Sequence, residues 1–246
     1  MTDGKSNLPA SVAARLLNRA KQTGDVYQTL LTSFCFERFL YRLGESEASE
    51  RFVLKGAMLL RLWSDQPYRA TRDLDLLRRG EGTFDAIRSD IRAICAVAVA
   101  PDAVSFDADA VQIDMGLGDS VWPAPRSCEY PALLDFPPPK VLAYPREAVV
   151  AEKLEALVVL GDRNSRIKDF FDLHHLACHF EFDRQTLAEA VRRTFARRKT
   201  PIPVESPIGL TPAYWKNPSR PAQVRAFTRR AGLKIGRASC RERVCT

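Results

Sequence analysis

The sequence predicts an α/β (α+β) protein: a small mixed sheet with N-terminal helices over residues 1–145, then a helical half over 146–233. Three observations predict it. Apolar residues recur at helical spacing between Pro9 and Leu43. Short extended runs, Phe52-Val-Leu-Lys55, Asp73-Leu-Asp-Leu76 and Val111-Gln-Ile-Asp-Met115, follow with Gly-containing breaks. From Glu147 the period becomes helical again and stays so.

Composition sets the outer limits. A chain of 246 residues, 46% hydrophobic and 27% charged, has the balance of a globular protein with a buried core. The longest apolar run, Ile94-Cys-Ala-Val-Ala-Val-Ala100, is too short to cross a bilayer, so no membrane partner is expected. No charged-then-apolar leader opens the sequence, and the expected compartment is the cytoplasm. The net charge of +7 permits an anionic partner such as nucleic acid. Part of that charge sits in residues 234–246, which carry four basic residues and one acid and closely resemble the translation of a sequencing adapter. That stretch is expected not to be native, and without it the charge falls to about +4. Cys35, Cys95, Cys128 and Cys178 are scattered, with no C-x₂-C pair, and are expected to be reduced and mostly interior thiols.

Taken in order, Pro9 to Lys21 forms a helix with Val12, Leu16 and Ala20 on one face, stopped near Gly24. Asp25 can cap a second helix through Leu43, with Tyr27, Leu30, Leu31, Phe34, Cys35, Phe39, Leu40 and Leu43 inward and Gly44 ending it. Phe52 to Lys55 is a short apolar strand. Gly56 allows a tight turn into a helix from Ala57 to Trp63, an arrangement that can cradle phosphate on backbone N–H groups or can be an ordinary strand-to-helix turn. Arg69 and Arg72 flank the next strand as phosphate contacts or as plain surface charges. The strand from Asp73 runs out at Arg78-Arg79-Gly80, and Thr83 to Ala96 is a helix with Phe84, Ile87, Ile91 and Cys95 inward.

Val111 to Met115 is a further strand that points Gln112 and Asp114 to one face. A proline-rich loop follows, with Ala132 to Phe136 as a short extended piece and a boundary at Tyr144-Pro145. Helices are then expected from Glu147 to Leu160, from Arg166 to about Phe180, from Gln185 to Arg197 and from Ala222 to Ala231, with an ordered proline-rich loop over 199–221. Lys153 lies off the apolar stripe of the first of these. Arg192, Arg193, Arg197 and Arg198 make a basic edge, either a solvated face or a contact for RNA or an acidic partner.

The chemistry-bearing feature is Asp73-Leu74-Asp75. Side chains at i and i+2 of a strand share a face, so two carboxylates repel unless a cation lies between them. Mg²⁺ is the usual hard cation for such oxygens and brings substrate phosphates with it, whereas an exposed sheet edge with two solvated acids is the plain alternative. Asp114 becomes a third carboxylate if its strand lies beside this one. Asp169 and Asp172 stand one helical turn apart, and so do His175 and His179, which with Asp172 could instead bind a transition metal or simply pack.

Four motifs in this order, Leu54-Lys-Gly-Ala-Met-Leu-Leu-Arg-Leu62, Thr71-Arg-Asp-Leu-Asp-Leu76, Glu152-Lys-Leu-Glu-Ala156 and Arg166-Ile-Lys-Asp-Phe-Phe-Asp-Leu173, resemble the AbiEii/AbiGii toxin family of nucleotidyltransferases. The resemblance covers roughly residues 30–233 and implies the DNA polymerase β-like nucleotidyltransferase fold. It implies a metal-dependent toxin of a bacterial toxin–antitoxin or phage-defence module. Such an enzyme moves a nucleotide from a nucleoside triphosphate to an acceptor, with a tRNA 3′ end suggested. On that resemblance Asp73, Asp75 and Asp114 hold Mg²⁺, while Lys55, Gly56, Arg72 and Lys153 bind the nucleotide. Lys168 and Asp169 complete the catalytic set from the helical half, with Asp172 beside them. A cognate antitoxin encoded nearby is implied as a partner. The chain departs from the family at Gly56-Ala57-Met58, which offers backbone without a Ser or Thr hydroxyl, and in the short interval before Asp114. Those departures keep a second reading open, a nucleotide- or RNA-binding member of the fold without turnover. A third takes Asp73-Leu-Asp75 as a glycosyltransferase metal motif, against which Lys153, Lys168 and Asp169 in a helical half argue.

Overall fold

The computed structural model describes residues 7–64, 71, 73–80, 82–119 and 121–231. They fall into two compact units, the first running to Pro145 and the second starting at Arg146.

In the first unit, helix α1 (Leu8–Thr23) buries Val12, Leu16 and Ala20 and ends at Gly24, whose φ of 75° closes the helix in the left-handed conformation. Helix α2 (Tyr27–Glu45) buries Leu30, Phe34, Phe39, Leu40 and Leu43. Two expectations about its ends are corrected. Asp25 does not cap α2: its carboxylate accepts from the Thr23 hydroxyl at 2.7 Å, and the N-cap residue is Val26. Gly44 does not stop the helix either. A Cβ there would fall on the backbone carbonyl of Lys140, so this glycine lets α2 lie directly against a strand.

Strands β1 (Phe52–Lys55), β2 (Asp75–Arg78), β3 (Asp114–Leu117), β4 (Arg126–Glu129) and β5 (Lys140–Ala143) form the mixed sheet, in the order β3-β2-β1-β5-β4. β1 is central, antiparallel to β2 and parallel to β5. β2 and β3 are parallel, and β4 and β5 form an antiparallel pair. Phe52, Val53, Leu54, Leu76 and Leu77 are all buried, so the middle of the sheet is covered on both faces, as a near-continuous apolar run requires. Helix α3 (Met58–Trp63) follows β1.

The strands differ from expectation in detail. β2 and β3 begin at Asp75 and Asp114, leaving Asp73 and Val111–Ile113 ahead of them. Ala132 to Phe136 is a series of bends rather than an extended piece, and Leu133 plugs the core between α1 and α2. Helix α4 (Phe84–Cys95), capped by the Thr83 hydroxyl on the Ala86 N–H, buries Ile94, while Phe84 is 76% exposed. Its inward anchor is polar: Asp90 binds Arg51 at 2.7 Å and Arg78 at 3.1 Å.

In the second unit, helices α5 (Arg146–Leu160), α6 (Ile167–His179), α7 (Arg184–Arg197), α8 (Pro212–Trp215) and α9 (Arg220–Ala231) surround a core that includes Leu157, Phe170 and Tyr214. Much of the expected basic edge is internally paired. Arg192 and Arg193 bind Glu189 at 3.1 and 2.6 Å, and Arg198 reaches Glu152 at 3.4 Å and the buried Glu155 at 2.9 Å. Cys35, Cys95 and Cys128 are free and half-buried, each thiol pushed up chiefly by burial, while Cys178 is exposed. Among the described residues no helix is long and apolar enough to cross a membrane.

Candidate active site

One end of the sheet gathers the chemistry of the first unit. Lys55, the last residue of β1, is paired with Asp75, the first of β2, and Asp75 is paired with Asp114, the first of β3. Directly paired residues on neighbouring strands point to the same face with Cβ atoms about 5 Å apart. An ammonium and two carboxylates therefore stand side by side across three strands. The Asp114 N–H donates to the Leu74 carbonyl at 2.9 Å, which fixes this register at the edge. Asp73 is exposed and lies just ahead of β2, where its N–H donates to the Thr71 hydroxyl at 3.3 Å.

Gly56 shapes the floor. Its φ is 71°, and a Cβ there would lie 2.5 Å from the carboxyl carbon of Asp75 and 2.8 Å from its Cβ. The glycine expected for a tight turn thus also makes room for the Asp75 carboxylate. Gly116 leaves a smaller clearance beside Lys55: a Cβ on Gly116 would sit 3.3 Å from Nζ. The Lys55 ammonium lies 3.3 Å from the Asp119 carboxylate and 5.1 Å from the centre of the Tyr144 ring. Asp119, Gly116 and Tyr144 were not among the residues the sequence singled out. The available signal was a glycine inside a short strand, which marks a close approach by another group.

The helical unit carries a separate ionic cluster. Lys153 of α5 donates to Asp169 at 2.7 Å and lies 2.9 Å from Asp172, both buried on α6. Arg166 Nε reaches the other oxygen of Asp169 at 3.0 Å. Burial pulls the Lys153 amine down, but the two carboxylates outweigh it and its pKa lies above the ordinary lysine value. Lys153 is 17% exposed, and its charge and that of Arg166 are matched by two acids, so the cluster is formally neutral. Lys168, between buried Ile167 and Asp169, is exposed and outside the cluster. In the sequence Arg166 opens the last of the four motifs, and its i, i+3 spacing to Asp169 is the legible clue to this ion pair.

Of the expected site residues, the sheet brings Lys55, Gly56, Asp75 and Asp114 together, with Asp73 ahead of them, and the helical unit brings Lys153, Asp169 and Asp172 together. Arg72, like Arg69 and residues 234–246, lies outside the described residues. Among the described residues no three or more His, Cys, Asp or Glu side chains gather as a metal cage. His175 and His179 instead stack, ring centres 4.3 Å apart, and His179 Nδ1 is 2.9 Å from the His175 carbonyl oxygen. The acids that could share a hard cation are Asp75 and Asp114.

No curated protein matches the chain. The profile of the family described as nucleotidyl transferase AbiEii toxin, type IV TA system, matches residues 38–238, which includes residues of both units and all four sequence motifs. With a mixed-sheet α/β unit, a helical unit and that match over most of its length, the chain belongs to the AbiEii family of nucleotidyltransferase toxins of type IV toxin–antitoxin systems.

Proposed function

We propose that the chain transfers a nucleotide from a nucleoside triphosphate to an RNA acceptor, the 3′ end of a tRNA, with Mg²⁺ held by Asp75 and Asp114 and completed by Asp73. The observation that carries the reading is the register placing Lys55, Asp75 and Asp114 on one face, beside a glycine whose missing Cβ makes room for a carboxylate. The donor set fits. Carboxylate oxygens are hard ligands, and Mg²⁺ is bound through one or two of them, keeping waters and taking the rest of its shell from substrate phosphates. When bound, the ion would polarise the phosphoryl oxygens and stabilise the entering and leaving ones.

The protein's own part is electrostatic positioning. Lys55 and the Gly56 turn would receive the phosphates, and Asp75 and Asp114 would fix the reacting phosphorus relative to them. Within the helical unit Lys153, kept charged by Asp169 and Asp172, would bind the nucleotide, and Lys168 is exposed outside that cluster. The acceptor hydroxyl attacks the α-phosphorus in line, the bond to the β-phosphate oxygen breaks, and pyrophosphate leaves. The cytoplasm is the working compartment, and an antitoxin encoded alongside is the partner that restrains the activity.

Incubating the chain with labelled nucleoside triphosphates, Mg²⁺ and total tRNA tests this. Label should enter tRNA, and Asp73→Ala and Asp75→Ala should each lower transfer at least roughly a hundredfold with the circular dichroism spectrum intact. Full transfer by either variant would refute the site. A second reading, nucleotide binding without turnover, is favoured by Ala57 and Met58, which bring no hydroxyl to the Gly56 turn. Nucleotide binding without label transfer by the wild-type chain would select it.

A further inference from the structure

Three features of the first unit converge on one atom, Lys55 Nζ. Gly116 withholds a side chain from the middle of β3, where a Cβ would stand only 3.3 Å from the ammonium. Glycine weakens a strand interior, so its presence there suits a site that another group must cross. The Asp119 carboxylate, two residues beyond the end of β3, lies 3.3 Å from Nζ, and both side chains are largely shielded, 18% and 21% exposed. The Tyr144 ring lies 5.1 Å from the same ammonium, within the range of cation–π attraction, and the Tyr144 N–H is tied to the Leu54 carbonyl at 3.0 Å.

We propose that Asp119 is a positioning residue: it holds the Lys55 ammonium over Gly116, across the sheet face that carries Asp75 and Asp114, so that Lys55 meets the phosphates of a nucleoside triphosphate already oriented. The inference rests on the nucleotidyltransferase reading above. A lysine opposite an aspartate in an antiparallel pair ordinarily closes a cross-strand ion pair with it. Asp119 brings a further carboxylate to the ammonium, 3.3 Å away, from beyond the end of β3. An ammonium has three N–H donors, so one can stay on Asp119 while the others turn to phosphate oxygens. A long, flexible side chain loses much rotamer freedom when it binds, and a tether made in advance lowers that cost on nucleotide binding. Asp119 acts through Lys55 and touches no reacting atom.

Isothermal titration of the full chain with the four α,β-methylene nucleoside triphosphates and Mg²⁺ tests the assignment. For the tightest of the four, Asp119→Asn and Lys55→Met should each raise Kd roughly tenfold. The double variant should bind no more weakly than Lys55→Met alone, and Asp119→Glu should recover part of the loss. Melting temperatures near wild type for Asp119→Asn would show that the loss is not unfolding. Weakening in Lys55→Met with none in Asp119→Asn, or fully additive losses in the double variant, would overturn the proposal while leaving the nucleotide site standing. Unaltered binding in Lys55→Met would likewise overturn the proposal alone, whereas no binding of any analogue by the wild-type chain would overturn both.

Discussion

At the scale of single residues, the glycines of this chain have different physical reasons, and the difference can be measured. Gly56 and Gly80 have nearly the same backbone, φ 71° and 72°, yet a Cβ on Gly56 would enter the Asp75 carboxylate while one on Gly80 would meet nothing within 4 Å. An alanine in the left-handed region costs about 1–2 kcal/mol through the backbone alone. Gly80→Ala should cost that amount in urea unfolding and leave nucleotide binding unchanged. Gly56→Ala should cost the same backbone strain and also displace Asp75, so its stability loss should be larger and nucleotide binding should fall with it. Equal losses in the two variants would mean that Asp75 yields freely and that the close approach has no consequence. Gly44 and Gly116 differ from both in having no positive φ, so clearance alone is at stake there, beside the Lys140 backbone in one case and the Lys55 ammonium in the other. A sequence shows all of them as turn or stop signals, and only the packed structure separates a bend from a clearance.

At the scale of elements, what was legible depended on whether local pattern or a distant partner decided the outcome. The apolar stripe of α1, the Gly24 cap and the continuous apolar run of β1 are written locally. β4 and β5 were missed because each is four residues long and they flank a proline-rich stretch, and β5 is a strand through its pairing with β1, distant in sequence, and with β4. Periodicity also missed the buried charges of α2. Glu37, Arg38 and Arg42 are 0%, 1% and 5% exposed because irregular segments cover the helix and their backbone groups lack sheet or helix partners. Glu37 accepts from the Leu133 N–H at 2.6 Å, Arg38 donates to the Pro137 carbonyl at 2.8 Å, and Arg42 donates to the Val104 carbonyl at 2.9 Å and grips Asp102 with two bonds of 2.7 and 3.0 Å. Buried loops need such partners. Arg42→Met, which leaves Asp102 as an unpaired buried charge, should cost about 3–5 kcal/mol in urea unfolding. Adding Asp102→Asn should recover part of that loss. A double variant less stable than Arg42→Met would show that Asp102 is stabilised by something other than Arg42. The same limit applied at the site: the Asp73-Leu-Asp75 run and the alternation of the strand around Asp114 pointed to these acids, but the direct pairing of Asp75 with Asp114, and the pairing of Lys153 with two acids, depend on contacts far apart in the sequence.

At the scale of the whole molecule, the two units are separately compact, and each holds a buried titrating group whose shift opposes stability at a different end of the pH scale, so a single unfolding free energy does not describe the chain. In the helical unit burial lowers the His175 pKa, the neighbouring His179 and His174 lower it further, and Asp172 opposes them. A histidine whose folded pKa lies below its unfolded value of about 6.5 contributes stability above that pH and loses it as the pH falls towards the folded value. In the first unit burial raises the Glu37 carboxyl pKa, against the Leu133 N–H and Arg38, which lower it. A carboxyl raised in the folded state contributes below its unfolded pKa of about 4.3 and loses that contribution as the pH rises through the folded value. On acidification from pH 7.5 to 5.5 the transition of the helical unit should therefore move to lower temperature, while Glu37 acts in the opposite sense on the other unit as the pH falls towards its unfolded pKa of about 4.3. Scanning calorimetry across that range, with His175→Phe as the control, measures the split. The variant should flatten the pH response of one transition and leave the other in place. If His175→Phe leaves the pH response of both transitions unchanged, the acid sensitivity of the helical unit does not arise at His175.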